Sequence, residues 1–170
     1  LKLADDKPNC FLLESVEGGE VRGRFSVIGL DPDLIWRCRD GRAEINITPA
    51  NDSGFQQESL VPLESLRALM RQSEMPDTGD LPPMAAGLFG YFGYDMIRLI
   101  EAIPNANQAA VEMDDSLLLR PSLIAIFDRL KDNITLVTQI RPNDWDDAKS
   151  AWDDAQSRLA AAIEDLDRPL

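Results

Sequence analysis

Hydrophobic side chains recur along this chain in short bursts, and the spacing within each burst sets the element it predicts. Residues 9–15 and 22–30 are each rich in leucine, β-branched or aromatic side chains. They flank Glu17-Gly18-Gly19-Glu20, which predicts two strands joined by a glycine turn. Residues 34–39, the pair Asp40-Gly41 and the alternation Ala43-Glu44-Ile45-Asn46-Ile47 predict a second hairpin, because Asp-Gly tolerates the positive φ angles of a type I′ turn. Residues 122–127 and 133–140 predict a third, across Lys131-Asp132-Asn133.

Helical spacing occurs twice. Leu63, Leu66, Leu69 and Met70 follow Pro62, whose fixed φ suits a first turn, and predict an amphipathic helix over 62–73. Trp145, Trp152, Leu159 and Leu166 fall seven apart, with Ala155, Ala162 and Ile163 widening the stripe. Asn143 is the expected cap of that helix, and Asp144, Asp146 and Asp147 meet the positive end of its dipole. Asp95 is expected to cap a short helix over 96–101. Residues 48–58 carry Pro49, Asn51, Asp52, Ser53 and Gly54 without an apolar period and read as loop. Residues 76–83 read as a breaker-rich connection, and 105–116 as a polar loop and a candidate for mobility. Strand pairs with helices between them predict an α+β fold, with antiparallel sheets packed in layers and helices outside, in one domain over 1–170.

Composition narrows the function. The 170 residues, 44% of them apolar, suffice for one real core. A formal charge of -13 and a pI near 4.3 argue against nucleic acid, because a polyanion gains nothing from an acidic surface. No apolar run is long enough to span a bilayer, and the first residues lack the basic and apolar regions of a secretory signal, so the expected location is cytoplasmic. The chain opens on Leu1 rather than Met, which suggests a trimmed N-terminus. Cys10 and Cys38 are too few for a disulfide framework and are expected as buried free thiols. The absence of histidine removes the commonest general base and metal ligand, so the chain is a poor candidate for a self-sufficient enzyme. The acid pairs Asp114-Asp115, Asp146-Asp147 and Asp153-Asp154 sit in polar contexts and read as solvated surface, and no catalytic constellation is assigned.

Two motifs remain. Gly87, Gly90 and Gly93 are three apart and match neither a dinucleotide loop nor a P-loop. Interleaved with Phe89, Tyr91, Phe92 and Tyr94, they predict close backbone approach by a second sheet or a neighbouring chain. The other is Leu12-Leu13-Glu14-Ser15-Val16-Glu17-Gly18-Gly19. This element closely resembles the N-terminal signature of component I of anthranilate synthase, and the block over 87–95 resembles a strand shared by the large subunits of anthranilate and aminodeoxychorismate synthases.

The resemblance implies a regulatory and scaffold portion of a larger subunit. In the family the serine of this element contacts the tryptophan inhibitor, which points to Ser15. A tryptophan site needs an apolar slot, an acceptor for the ring N–H, a partner for the ammonium and donors for the carboxylate. Leu13 and Ser15 share one face of a regular strand and Glu14 the other, so they meet one ligand only if the strand ends or bends there. Glu14 would then face the ammonium and Arg24 the carboxylate. The competing reading leaves Glu14 and Ser15 as a solvated strand end. The complete family subunit converts chorismate to anthranilate with Mg2+ and ammonia from a glutamine amidotransferase partner, component II, in a heterotetrameric assembly. Its metal and chorismate ligands are expected in a C-terminal chorismate-binding domain beyond residue 170, leaving no cofactor and no lyase activity to this portion. The alternatives are the equivalent domain of aminodeoxychorismate synthase and an independent acidic interaction domain.

Overall fold

In the computed structural model, which describes residues 2–4, 7–14, 23–50, 52–75, 79–104, 112–141 and 146–169, most predicted elements are present with altered bounds. In chain order they are strands β1 (Phe11–Leu13), β2 (Phe25–Arg39), β3 (Arg42–Asn46) and β4 (Gln56–Gln57), helix α1 (Pro62–Ser73), strands β5 (Phe89–Phe92), β6 (Ser116–Asp128) and β7 (Asn133–Thr138), and helix α2 (Ala148–Asp167). Short 3-10 turns occupy Asp52–Gly54 and Tyr94–Leu99. The α+β class holds: the seven strands form an antiparallel sheet accompanied by helices.

The chain divides into two compact units. One comprises Leu1–Pro32, Met75–Ala86 and Pro121–Leu170, the other Asp33–Glu74 and Gly87–Arg120. Both long strands change unit beside a proline, Pro32 in β2 and Pro121 in β6. A proline gives no N–H to a ladder, so pairing is weakened at these positions while the strand runs on. Residues 22–30 and 34–39, predicted as separate strands, therefore belong to one strand, with Asp31 in the left-handed region at φ 47°.

The unit built on Asp33–Glu74 and Gly87–Arg120 is sealed by aromatic and leucine side chains. Trp36, fully buried, lies opposite Ile45 in the β2–β3 ladder and packs with Leu34, Leu66, Leu69 and Leu118. Its indole N–H donates to Ser65 Oγ at 3.0 Å, so burial leaves no orphan donor. The predicted Asp40-Gly41 turn is present, with φ 51° and 69°, the positive pair that type I′ requires. Pro62 opens α1 as predicted, but Met70 faces solvent and Ser65 takes an inward position. Within the segment predicted as loop, Gln56–Gln57 pairs with β3. Asp95 does not cap its helix: Gly93 does, and Asp95 accepts from Arg98 Nε at 2.6 Å within it.

The second unit is covered by α2, which buries Ala151, Ala155 and Ala162 and brings Leu159 and Leu166 against Leu30, Leu123 and Ala125. Trp152, predicted inside, is 59% exposed. A helix lying close to a sheet needs small residues at the contact, and three alanines outrank one indole there. The expected cap Asn143 and Trp145 lie outside the described residues. The helix starts at Ala148, with Asp147 as cap accepting from Ser150 N at 2.9 Å, a bond that holds its carboxyl below the ordinary range.

Candidate functional site

The end of β1 carries the predicted site, and its local structure follows from three pairings: Phe11 opposite Gly29, Leu12 opposite Ile28 and Leu13 opposite Val27. A Cβ on Gly29 would lie 2.1 Å from the Phe11 ring, so glycine there is what lets the ring lie across β2. Strand pairing stops at Leu13, and Glu14 follows directly. This meets the condition set by the sequence, that the strand must end where its polar residues gather. Ser15 and the Gly18-Gly19 turn lie outside the described residues.

Leu12 and Leu13 point to opposite faces, and each is 48% exposed. Two exposed leucines in succession are unusual in a three-residue strand, and each borders an open groove. On the Leu13 face, Leu13, Glu14, Gly23, Arg24, Phe25 and Met84 surround about 530 Å³. Met84 holds a left-handed backbone at φ 69°, a conformation most side chains avoid. On the Leu12 face a groove of about 870 Å³ has Ile28, Phe127 and Ile134 as apolar lining, with Glu14, Asp128, Arg129 and Asp132 as its charged groups. Glu14 borders both.

Leu13, Glu14 and Arg24, separated by a turn in the sequence, thus line one groove. Their ion-pair partners differ from what the sequence suggests. Arg24 makes two parallel bonds to Asp128, Nε to Oδ1 at 2.8 Å and the terminal nitrogen to Oδ2 at 2.6 Å, and its guanidinium lies 4.8 Å from the Phe25 ring centre. Asp128 is only 5% exposed and also accepts from Leu130 N and Lys131 N at 3.0 and 3.3 Å. The Arg24 bond, followed by those backbone donors, lowers its carboxyl to about 2, and the same pair raises the Arg24 guanidinium. Glu14 has a looser partner, Arg129, at 3.7 Å, with both side chains more than half exposed. A pair so placed contributes little to stability and separates readily.

Asp128 and Arg129 were not singled out by sequence. Asp128 heads the β6–β7 turn and its carboxylate takes two turn amides, a local pattern that Asp-Arg-Leu-Lys-Asp-Asn does announce. Its pairing with Arg24 spans 104 positions and leaves no local trace.

The remaining candidates are structural. Asp114 and Asp115 are not solvated: Asp114 pairs with Arg39 at 2.5 Å, and Asp115 accepts from Gly41 N at 3.4 Å and Cys38 Sγ at 3.9 Å, tying down the Asp40-Gly41 turn. Burial, with the Asp115 charge, pushes the Cys38 thiol up to about 11, and an inert free thiol results. Cys10 is only half-buried. A Cβ on Gly90 would lie 1.9 Å from the Leu117 carbonyl oxygen, so the close approach is made by the neighbouring strand β6 rather than by another sheet or chain. Among the described residues no three His, Cys, Asp or Glu side chains gather as a metal site, so the donors present do not fit the Mg2+ that the resemblance attaches to the complete subunit. Among those residues no helix is long and apolar enough to cross a membrane.

No protein-family profile matches the chain. It is 46% identical over 169 residues to anthranilate synthase component 1 of Cereibacter sphaeroides, covering 99% of this chain and 34% of that protein. The component 1 proteins of Pseudomonas aeruginosa and Thermus thermophilus are 33% and 34% identical, over 100% and 96% of this chain and 34% and 33% of theirs. The fold is similar to the crystal structure of anthranilate synthase component I from Streptococcus pneumoniae TIGR4, with a TM-score of 0.70 over 94% of this chain and 32% of that one. At 21% identity, that likeness speaks for the fold alone. The chain spans about a third of the length of the curated relatives it matches.

Proposed function

Since the chain belongs by sequence with anthranilate synthase component 1, of which it spans about a third, we propose that it is the regulatory and scaffold portion of such a subunit and holds part of an L-tryptophan feedback site. The complete subunit would convert chorismate and ammonia to anthranilate and pyruvate, using Mg2+ and ligands in a chorismate-binding domain outside this chain. The ammonia would come from glutamine through an amidotransferase partner in a heterotetramer. The setting is cytoplasmic, with neither nucleic acid nor membrane as partner.

The observation that carries the reading is the meeting of Leu13, Glu14 and Arg24 around one open groove where β1 ends. Half-exposed leucines beside a loosely paired carboxylate suit an apolar amino acid: the leucines take the side chain, and Glu14 takes the ammonium. Ser15 follows in sequence and completes the element. None of these residues is assigned to bond making or breaking.

The test uses the complete subunit with its amidotransferase partner and reads the tryptophan concentration for half-inhibition, each variant being scaled to its own uninhibited rate. Losing one charged contact to the ammonium in Glu14→Gln is expected to raise that concentration by about tenfold or more. A bulkier residue at position 15, as in Ser15→Phe, is expected to act in the same direction. Inhibition curves that superimpose on the parent for both variants would sink the reading.

A further inference from the structure

We propose that the open edge of β5 takes a further strand, supplied by the part of the complete subunit that lies outside residues 1–170. The inference rests on the reading of this chain as a portion of a component 1 subunit and draws nothing from the tryptophan site. The path of the sheet runs β4-β3-β2-β6-β5, so β4 and β5 are its two ends among the described residues. An end strand presents a row of backbone N–H and C=O groups that invites pairing, and proteins blunt such edges with short strands, charges or proline. β4 is blunted, being two exposed glutamines long. β5 is not. Phe89–Phe92 and the Gly93 that follows carry neither a charge nor a proline, and Phe92 and Tyr94 are 58% and 88% exposed.

Two bonds show which backbone groups β5 turns outward. The Tyr91 carbonyl accepts from Ser116 Oγ and the Gly93 N–H donates to the Asp115 carbonyl, each at 2.7 Å, so both residues turn their backbone groups towards β6. Backbone direction alternates along a strand, and the N–H and C=O of Gly90 and Phe92 therefore point to the open side. No strand among the described residues lies there. The side chains alternate as well. Phe89 is buried, while Phe92, on the opposite face, offers an exposed ring to a cross-strand neighbour.

Length and charge identify the occupant. The chain covers 34% of the Cereibacter sphaeroides relative, so most of such a subunit lies outside it. A strand of the same polypeptide loses little freedom on pairing, because the connection already holds it near. A second copy would have to offset its full translational and rotational loss through a four-residue edge, while two chains of charge -13 are brought together. The strand that fits is extended and apolar, with β-branched or aromatic side chains on the face of Phe92.

The test reads amide exchange residue by residue in the complete subunit, without the amidotransferase. Gly90 and Phe92 are expected to exchange at least about a hundredfold more slowly than open amides, level with Tyr91. Fast exchange at Gly90 and Phe92 beside a protected Tyr91 would mean a bare edge and overturn the proposal. Phe92→p-benzoylphenylalanine, irradiated in the same subunit, identifies what lies against the edge. The expected product is a cross-link within one polypeptide, to a peptide outside residues 1–170. A cross-link to residues 1–170 of the same copy, a cross-link to a second copy, or none at all would overturn the assignment. Neither readout involves tryptophan, so a bare edge leaves the feedback reading standing, and unshifted inhibition in Glu14→Gln leaves this one standing.

Discussion

Each compact unit lays a helix against antiparallel strands, yet the two are closed by opposite means. In the unit of Asp33–Glu74 and Gly87–Arg120, a single large side chain fills the interior: Trp36 is fully buried, its N–H is met by Ser65, and Leu66 and Leu69 of α1 close over it. In the other unit, alanines of α2 let the helix lie close, and β1 leaves Leu12 and Leu13 half-exposed beside charged side chains. Sealing a core with one aromatic residue concentrates stability, whereas leaving leucines at a strand end beside a loose ion pair gives up burial and keeps ligand-binding surface. The comparison assigns stability to one unit and recognition to the other, and substitutions can break it.

The largest effect is expected at Trp36. Trp36→Ala removes the indole from a site with no exposure and leaves both a cavity and a Ser65 hydroxyl without its indole donor, so denaturant unfolding should show a loss of about 3–5 kcal/mol. Leu13→Ala should cost less than about 0.5 kcal/mol, because nearly half of that side chain already meets water. Comparable losses at the two positions would erase the distinction between the units.

A smaller effect, on the order of 1–3 kcal/mol, is expected for Gly90→Ala. The new methyl group would meet the Leu117 carbonyl oxygen at 1.9 Å, and a backbone atom in a ladder has nowhere to turn. Gly29→Ala is the control from the other unit. There the obstruction at 2.1 Å is the side-chain ring of Phe11, half-buried in a three-residue strand, rather than a backbone atom of a ladder. Amide exchange should therefore accelerate along β5 and the facing part of β6 in Gly90→Ala, with a milder change along β1 in Gly29→Ala. Equal effects would show that the β1 edge is as rigidly packed as the sealed unit.

Sequence made some of this contrast visible and concealed the rest for physical reasons. Asp40-Gly41 and Pro62 mark their elements because the first tolerates positive φ and the second fixes φ, and both appear where expected. Pro32 marks a break in sequence, but a strand can carry a proline at the cost of one donor, so β2 runs through it. The heptad in α2 favours Trp152 by hydrophobicity, while the close helix contact favours Ala151, Ala155 and Ala162 by size, and size decided. At the candidate site, Leu13 and Glu14 were legible because they are neighbours in a motif. The partner that occupies Arg24 was not, because charge pairing across 104 positions leaves no local pattern to read.

The smallest effect concerns that partner, and it discriminates the two units by pH. The Asp128 carboxyl is lowered to about 2 in the folded chain from an ordinary value of 3.8, so its contribution is fully present above the ordinary value. That contribution is lost as the pH falls through the lower one. Between about pH 4 and 2, amides of the β6–β7 turn, Leu130 and Lys131 first, are expected to lose protection as their acceptor is protonated. The indole N–H of Trp36, by contrast, is held directly by the Ser65 hydroxyl, which does not titrate. Asp128→Asn supplies the reference, since it cannot change charge: the stability difference between parent and variant should hold constant above that acidic window and shrink within it. Parallel curves for parent and variant from about pH 5 to 2 would mean that the Arg24 pair holds no proton-linked stability, and would remove the reason for regarding the Arg24 fork as taken up by Asp128.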